Sequence, residues 1–507
     1  MPSPDGTSDK MPAMSSSGAL PQVRSRYWAA AGALACAAVV AGALPSLPSG
    51  ASWDNAVKLQ VAMNLLDGRG PELTSRTPWD DMYVVHAPDG RRYAGYPLLA
   101  SVIHFPTLWL ARIFDVSTAS FPSLGLLGAA AWLLVAWGRR SGVSPAAAVA
   151  GAMIACVTTA LWPTAAYGYD NVAEVLGLAA ILWAGAGEER RGAWLGAGLL
   201  VGGAVAIRYG GGILVVPTAA AILGQAPLRA RDVVRRAIWF ALGCAPGLAL
   251  IVGYNLYRFG SPFTVHAVGT IDEIVVPWLS RFHLEGMAGL VLSPGKGVLW
   301  YGLPLLAAVL LSGTLARRHS AAFVTLGAYG VAAVVLFGRL RFWHGDWTYG
   351  PRYVAPLYVA VVPLGWLAWE RLGRAGRLAR AAAVAGFIAL AALQAVAATT
   401  SPQFAVQARV LRPLAAAGKI VTRPLVAPPV PEDNGILYFR VASSPLLVAS
   451  EVVGEVIAGA EGDASLLEAR HMLAWAPLLP LLALAAMAAA ALLGRRRAEA
   501  LRPGDIG

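Results

Sequence analysis

Residues 24–55 read RSRYWAAAGALACAAVVAGALPSLPSGASWDN. Arg24 and Arg26 precede an apolar run from Tyr27 to Leu47, and the polar chain resumes at Ser52-Trp53-Asp54-Asn55. About 20 apolar residues wound as a helix cross a hydrocarbon core. The stretch therefore reads as a membrane span with its basic flank in the cytoplasm and a carboxylate emerging just past the opposite face.

The rest of the chain extends that reading. Of 507 residues, 57% are hydrophobic and 13% charged, whereas an ordinary soluble domain carries about a quarter charged residues. With a mean hydropathy of +0.59, a soluble enzyme is excluded. The net charge of +12 sits in short Lys/Arg clusters between apolar runs, so it reports topology and gives no reason to invoke nucleic acid. Cys36, Cys156 and Cys244 fall inside apolar runs without metal or redox spacing and read as small core residues.

The expected fold is an all-α polytopic membrane protein. Candidate spans lie near Tyr27–Leu47, Phe121–Gly138, Ala146–Ala166, Asn171–Gly185, Gly192–Ile207, Gly212–Gln225, Ala237–Tyr254, Val298–Leu315, Ser320–Gly338, Tyr353–Trp369, Ala381–Ala398 and Leu473–Leu493. That is a bundle of about 12 transmembrane helices. Arg139/Arg140, Arg190/Arg191, Arg229–Arg236, Arg317/Arg318, Arg371–Arg380 and Arg495–Arg497 all fall on one side if Pro97–Ala111 lies along the outer interface and does not cross. Both termini are then cytoplasmic, and the long connections, with any active site they carry, face the periplasm or exterior of a multi-pass inner-membrane protein. The expected divisions are a disordered tail over 1–25, a transmembrane module over 26–398, an outer loop or small cap over 399–471, a last span over 472–494 and a tail over 495–507.

Chemistry-bearing residues collect at the outer ends of the spans. Asp54 follows the first span directly, beside Trp53, at the depth where a lipid-linked substrate meets water. It is suited to act as a general base, or else to cap the helix that the apolar spacing predicts over Asp54–Leu66. Asp80-Asp81 and Asp89-Gly90-Arg91-Arg92 follow, the latter a turn whose paired arginines fit a phosphate or a solvated loop. Asp170 in Tyr167-Gly168-Tyr169-Asp170-Asn171 stands at a span end, either a functional carboxylate or a helix cap, with Glu174 one turn on. Arg208 interrupts two apolar runs beside three glycines.

Two motifs are richer. Tyr254-Asn255-Leu256-Tyr257-Arg258-Phe259-Gly260-Ser261-Pro262 ends one span, and Leu292-Ser293-Pro294-Gly295-Lys296-Gly297 begins the next with a cation in a flexible backbone suited to phosphate or pyrophosphate. It lacks the Walker spacing of a nucleotide site. Phe342-Trp343-His344-Gly345-Asp346-Trp347-Thr348-Tyr349-Gly350-Pro351-Arg352-Tyr353 interleaves aromatic rings with His, Asp and Arg, the mixture needed to stack on sugar faces and orient hydroxyls; an interfacial aromatic belt is the alternative.

Taken in order over most of Ser52–Trp369, these motifs resemble those of the GT-C fold membrane glycosyltransferases. The resemblance is closest to the bacterial relatives of protein mannosyltransferases and aminoarabinose transferases that use polyprenyl-phosphate sugars. It rests on Trp53-Asp54-Asn55, Gly90–Pro97, Leu161-Trp162-Pro163 with Asp170, Arg208-Tyr209-Gly210, the Arg258–Pro262 and Leu292–Gly297 pair, and Trp343–Tyr353. It implies a GT-C-like bundle with juxtamembrane helices in the first outer loop, a polyprenyl-phosphate sugar donor entering from the membrane lipid, and a lipid, glycan or protein acceptor. It also implies a catalytic Asp at position 54. Several relatives carry a second acidic residue where this chain reads Tyr93-Ala94-Gly95. That departure leaves a divalent cation and the partner of Asp54 open, with Asp81 or Asp170 as substitutes; no other cofactor is implied.

The expected catalytic residues are thus Asp54 and Asp170, and the expected substrate-binding residues Asp81, Arg92, Arg208, Arg258, Lys296, His344, Asp346, Arg352 and Tyr353. The rival readings are a lipid or polysaccharide transporter or flippase, which wants ionisable residues at mid-membrane, and a non-catalytic envelope-glycan assembly protein using the same aromatic surface.

Overall fold

A computed structural model describes residues 19–43, 53–74, 84–114, 120–186, 191–224, 229–264, 280–340, 343–345, 349–399, 444–457 and 477–500. The architecture is a helical membrane bundle. Among the described residues six helices are long and apolar enough to cross a bilayer, and shorter apolar helices pack between them. The first, α1 (Ala19–Ala43), starts inside the stretch 1–25 that the sequence reading assigns to a tail. It packs on α5 (Phe121–Arg140), α6 (Pro145–Val157) and the last helix, α19 (Leu478–Ala500). That last helix starts later than the expected 472–494 span and runs on into the expected tail.

Several spans that the sequence reads as continuous are broken, each for a local reason. In Ala146–Ala166 the helix stops at Val157 and restarts as α7 (Leu161–Ala166). There the Thr158 and Thr159 hydroxyls each donate to the carbonyl four residues back at 2.6 Å, a side-chain bond that competes with the backbone ladder and bends a helix. Between the expected spans Gly192–Ile207 and Gly212–Gln225, where the sequence itself marks a break, Gly210, Gly211 and Gly212 turn the chain through a 3-10 helix (Tyr209–Leu214) that takes up the start of the second span before α10 (Val215–Leu223). Val298–Leu315 divides into a turn, α13 (Leu303–Leu310) and α14 (Ser312–Arg318). Pro356 lies in a second 3-10 helix (Arg352–Val361) that precedes α16 (Val362–Arg374).

The first long connection holds α2 (Trp53–Leu66), then a small antiparallel hairpin of β1 (Val84–His86) and β2 (Arg92–Ala94), then α3 (Leu99–Val102) and α4 (Phe105–Phe114). The hairpin is a departure from the all-helical expectation. Its strands pair Val85 with Tyr93, and Gly90 turns between them at φ +81°, as Asp89-Gly90 suggests. Helices α3 and α4 break at Ile103-His104, and at four and ten residues neither is long enough to span a bilayer.

Close helix contact depends on glycine. Helix α9 (Arg191–Ile207) crosses α11 (Ala230–Phe259) through Gly198 and Gly202 on one side and Gly243 and Gly247 on the other. A Cβ on Gly247 would stand 2.2 Å from the Gly202 carbonyl oxygen, and one on Gly243 would stand 2.2 Å from that of Leu195. Each helix thus carries a small-xxx-small pair that lets backbones touch. Replacing Gly247 by Leu should collapse detergent-extracted protein or lower its stability by about 1–3 kcal/mol or more. Gly203→Leu, where a Cβ meets nothing within 4 Å, should leave it near wild type. Fluorescence-detected size exclusion with a thermal ramp checks the contrast.

Candidate functional site

The site begins on α2. At helical spacing, Asn55, Lys58 and Ala62 join Val57 and Val61 on the buried side, while Met63 is 41% exposed. Lys58 thereby carries its ammonium inward to an ion pair with the Asp170 carboxylate, the two side chains only 1% and 3% exposed. Asp170 occupies the cap position of α8 (Asn171–Gly185) but makes no side-chain cap bond. The pair is seconded by Asn55, whose Nδ2 donates to the Gly168 carbonyl at 3.3 Å. Gly168 has φ +73°, and a Cβ there would meet Asn55 Nδ2 at 2.3 Å, so glycine is required on both counts.

The Lys58 ammonium also lies 4.3 Å from the centre of the Tyr96 ring. His104, in the break between α3 and α4, is buried close by. Burial, and then the Lys58 charge, pushes its imidazole down to about 3, so it is neutral at physiological pH.

A second group adjoins the first through Tyr169. The Arg352 guanidinium lies 5.0 Å from the Tyr169 ring and 5.3 Å from the Tyr353 ring, and Arg208 lies 5.2 Å from Tyr353. Phe337 stacks on Tyr353 at 5.5 Å. Arg208 pairs with Glu174 at 3.3 Å, one turn into α8, and the Glu174 side chain is fully buried. Gly345, at φ +60°, lets Arg352 lie against the backbone: a Cβ there would come within 2.9 Å of Arg352 Nε.

Lys296 is fully buried in the turn before α13 and donates to the Gly350 carbonyl at 3.3 Å. That turn is tightly held and not flexible as its glycines suggest, with Lys296 N bonded to Ser293 Oγ at 2.9 Å. His344 is buried, and burial, then Lys296 and Arg352, pushes its imidazole down to about 3. It can therefore address hydroxyls as a neutral ring but adds no charge of its own.

Arg258, near the end of α11, is a strut. Its guanidinium donates to the carbonyls of Ala94 (2.8 Å) and Tyr96 (3.4 Å), to the Tyr209 hydroxyl (3.1 Å) and to Asn255 Oδ1 (2.8 Å). It is further stacked by Tyr254 and Phe259. Arg92 lies in β2 and is half-buried, and its carbonyl accepts from Leu73 N at 2.8 Å. Its neighbour Arg91 is exposed and engaged by Asp89 and Glu72.

The structure therefore brings Asp170, Arg208, Lys296, His344, Arg352 and Tyr353 into one connected group, with Arg258 bracing it and Arg92 outside it. Position 54 is one turn before Lys58 on α2; its side chain, Asp81 and Asp346 lie outside the described residues. Among the described residues no three His, Cys, Asp or Glu side chains come together as a metal site. Sequence reading missed Lys58, although a lysine in register with Val57 and Val61 on a helix with an apolar side was the available signal.

The group sits at the end of the bundle where Ser123, early in α5, donates to the Tyr169 carbonyl at 3.4 Å. Arg139 and Arg140 lie at the other end of α5, about 25 Å away along the helix. A polar cavity of about 280 Å³ between Arg140, Arg318 and His319 belongs to that opposite end.

The hairpin is anchored by Glu72, which accepts from Tyr257 (2.7 Å), Tyr93 (3.3 Å) and Arg91 (3.2 Å). Burial pushes its carboxyl up, but these donors together outweigh it and leave the group below the usual carboxylate range. A depressed folded-state value stabilises the fold above the ordinary carboxylate range and loses that contribution as pH falls through the folded value. Glu72→Gln should therefore lower the melting temperature at about pH 7, and the gap to wild type should close towards about pH 3. Parallel thermal ramps at the two pH values check this.

No protein-family model matches the chain, and no curated protein does. Among solved structures the chain is similar to ArnT from Cupriavidus metallidurans bound to undecaprenyl phosphate: 14% identity, 94% of this chain and 77% of that one, TM-score 0.47. It is also similar to ArnT from the same organism in the apo state: 14% identity, 91% and 76% covered, TM-score 0.49. Likeness this loose assigns no residue a role.

Proposed function

We propose that this chain is an integral-membrane glycosyltransferase that moves a sugar from a polyprenyl-phosphate donor to a periplasmic or cell-envelope acceptor. The observation that carries the reading is the concentration of buried positive charge among aromatic rings at one end of the bundle. Buried Lys58, Arg258, Lys296 and Arg352, with half-buried Arg208, stand there against Asp170 and Glu174 among the described residues. Cations withdrawn from water favour an anionic ligand, and a carrier dissolved in the membrane reaches a site between helix ends without crossing solvent. Tyr169, Tyr353 and neutral His344 are suited to a sugar next to that anion. The site end lies opposite the Arg139/Arg140 cluster, which supports an outward-facing site under the positive-inside rule.

The chemistry is a single displacement at the anomeric carbon. The acceptor hydroxyl attacks, the bond from that carbon to the phosphate oxygen breaks, and the electron pair leaves with the polyprenyl phosphate. Asp54 takes the hydroxyl proton as general base. Lys296 and Arg352 stabilise charge developing on the departing phosphate, and Arg258 holds the interfacial segment at Ala94–Tyr96 in place.

Asp54→Asn should reduce transfer by about 100-fold or more while leaving expression and donor binding near wild type. Mass spectrometry of envelope glycans and glycoproteins from cells with wild-type protein, the variant or neither gives the readout. A sugar present with wild type and missing from the other two supports the reading; a sugar retained with the variant removes Asp54 from its role; identical profiles in all three overturn the transferase reading. A lipid flippase is the second reading, favoured by the pair of buried Glu174 with Arg208 beside the broken helix at Tyr209–Leu214. It predicts lipid translocation in vesicles without transfer.

A further inference from the structure

Within that reading, the Lys58–Asp170 pair has a more specific role. An ammonium carries three N–H donors. Among the described residues, the one hydrogen-bond acceptor that Lys58 meets is Asp170, with the Tyr96 ring face as its other neighbour. Two arginines of the group differ. Arg258 is fixed by four hydrogen bonds to carbonyls, a hydroxyl and an amide, and Arg208 has its own fully buried carboxylate in Glu174.

Lys58 is therefore a buried cation on an amphipathic helix, held among the described residues by a single acceptor that itself makes no helix-cap bond. Further polar atoms without a hydrogen-bond partner among the described residues flank the pair. They are Asn55 Oδ1 beside Lys58 on α2, both amide atoms of Asn171 next to Asp170, and Nδ1 of His104. All three side chains that carry these atoms are buried. A protein seldom leaves that many buried donors and acceptors unmatched unless something else satisfies them.

We propose that Lys58 receives the phosphate of the lipid carrier, and that Asp170 is the resident counter-ion from which the phosphate takes it. The exchange is anion for anion and leaves the buried ammonium paired throughout. Lys58 keeps its place over Tyr96 while its acceptor changes, and the amide of Asn171 supplies another donor to the incoming oxygens. The pair is a latch that opens only to an anion able to replace a carboxylate. A neutral lipid offers Lys58 nothing in exchange for Asp170 and leaves the latch shut.

The two partners should then affect binding in opposite directions. Full-length protein in nanodiscs of a neutral phospholipid is titrated with undecaprenyl phosphate, and occupancy is read by native mass spectrometry. Lys58→Met should weaken binding by about tenfold or more, and Asp170→Asn should tighten it by about tenfold. Lys58→Arg should stay near wild type. Because an unpaired buried charge can unfold the chain, the neutral double variant Lys58→Met with Asp170→Asn is included; it should fold as wild type does and bind as weakly as Lys58→Met alone.

The proposal falls if Asp170→Asn weakens binding as Lys58→Met does, since the pair is then a brace. It also falls if the double variant folds and binds like wild type. Inorganic phosphate at the same concentration should not displace the lipid; if it does, the site is one for free phosphate and the lipid assignment is overturned. Absence of binding by folded wild-type protein overturns the carrier-dependent reading of function itself, which separates that failure from failure of the latch.

Discussion

Charge placed inside a membrane protein must be paired there, and the pair that organises this molecule joins Lys58 to Asp170. It ties an interfacial helix to the start of a buried one. Removing one partner of such a pair costs about 3–5 kcal/mol, so the position of α2 over the bundle is not a loose surface arrangement. The neighbouring features follow the same logic. Glycine at 168 lets Asn55 approach the backbone, Tyr96 presents its ring face to the ammonium, and Arg258 fixes the carbonyls of Ala94 and Tyr96 from below.

The charged group is built from segments far apart in sequence because no single segment here could carry it. A helix with several ionised residues would not partition into lipid. Each of α2, α8, α11 and the turn at Ser293–Gly297 contributes one or two charged side chains near an end, and packing sums them. The helix breaks at Thr158–Ala160 and Tyr209–Leu214 belong to the same economy. They halt two helices short, leaving Asp170 to meet Lys58 and Arg208 to meet Glu174 and Tyr353, and polar atoms freed by the breaks are met locally by threonine hydroxyls and 3-10 turns.

Much of this was legible in the sequence because membrane physics leaves coarse marks. Apolar runs gave the helical class, and Asn171–Gly185 matches its helix to the residue. The gathering of charged side chains at span ends was visible from Asp170, Lys296 and Arg352. What escaped was short-range and three-dimensional. The hairpin at Val84–Ala94 has strands of three residues, too short for a two-residue period to declare itself. Arg258 read as a free cation because nothing local shows that carbonyls at Ala94 and Tyr96 will claim its donors. Lys58 was passed over because a lysine among Val57, Leu59 and Val61 looks like a snorkelling side chain until its helix is seen docked against Asp170.

The buried cations at this end of the bundle are, in the function proposed for this chain, there to hold a lipid-borne phosphate. An electron cryo-microscopy map of the full chain in nanodiscs with undecaprenyl phosphate tests it most directly. Phosphate density is expected within hydrogen-bonding distance of the Lys58 ammonium, with its isoprenoid tail leaving between helices and the Asp170 carboxylate turned away from Lys58. Phosphate density at the opposite end, in the cavity between Arg140 and Arg318, with the Lys58–Asp170 contact intact, would contradict it.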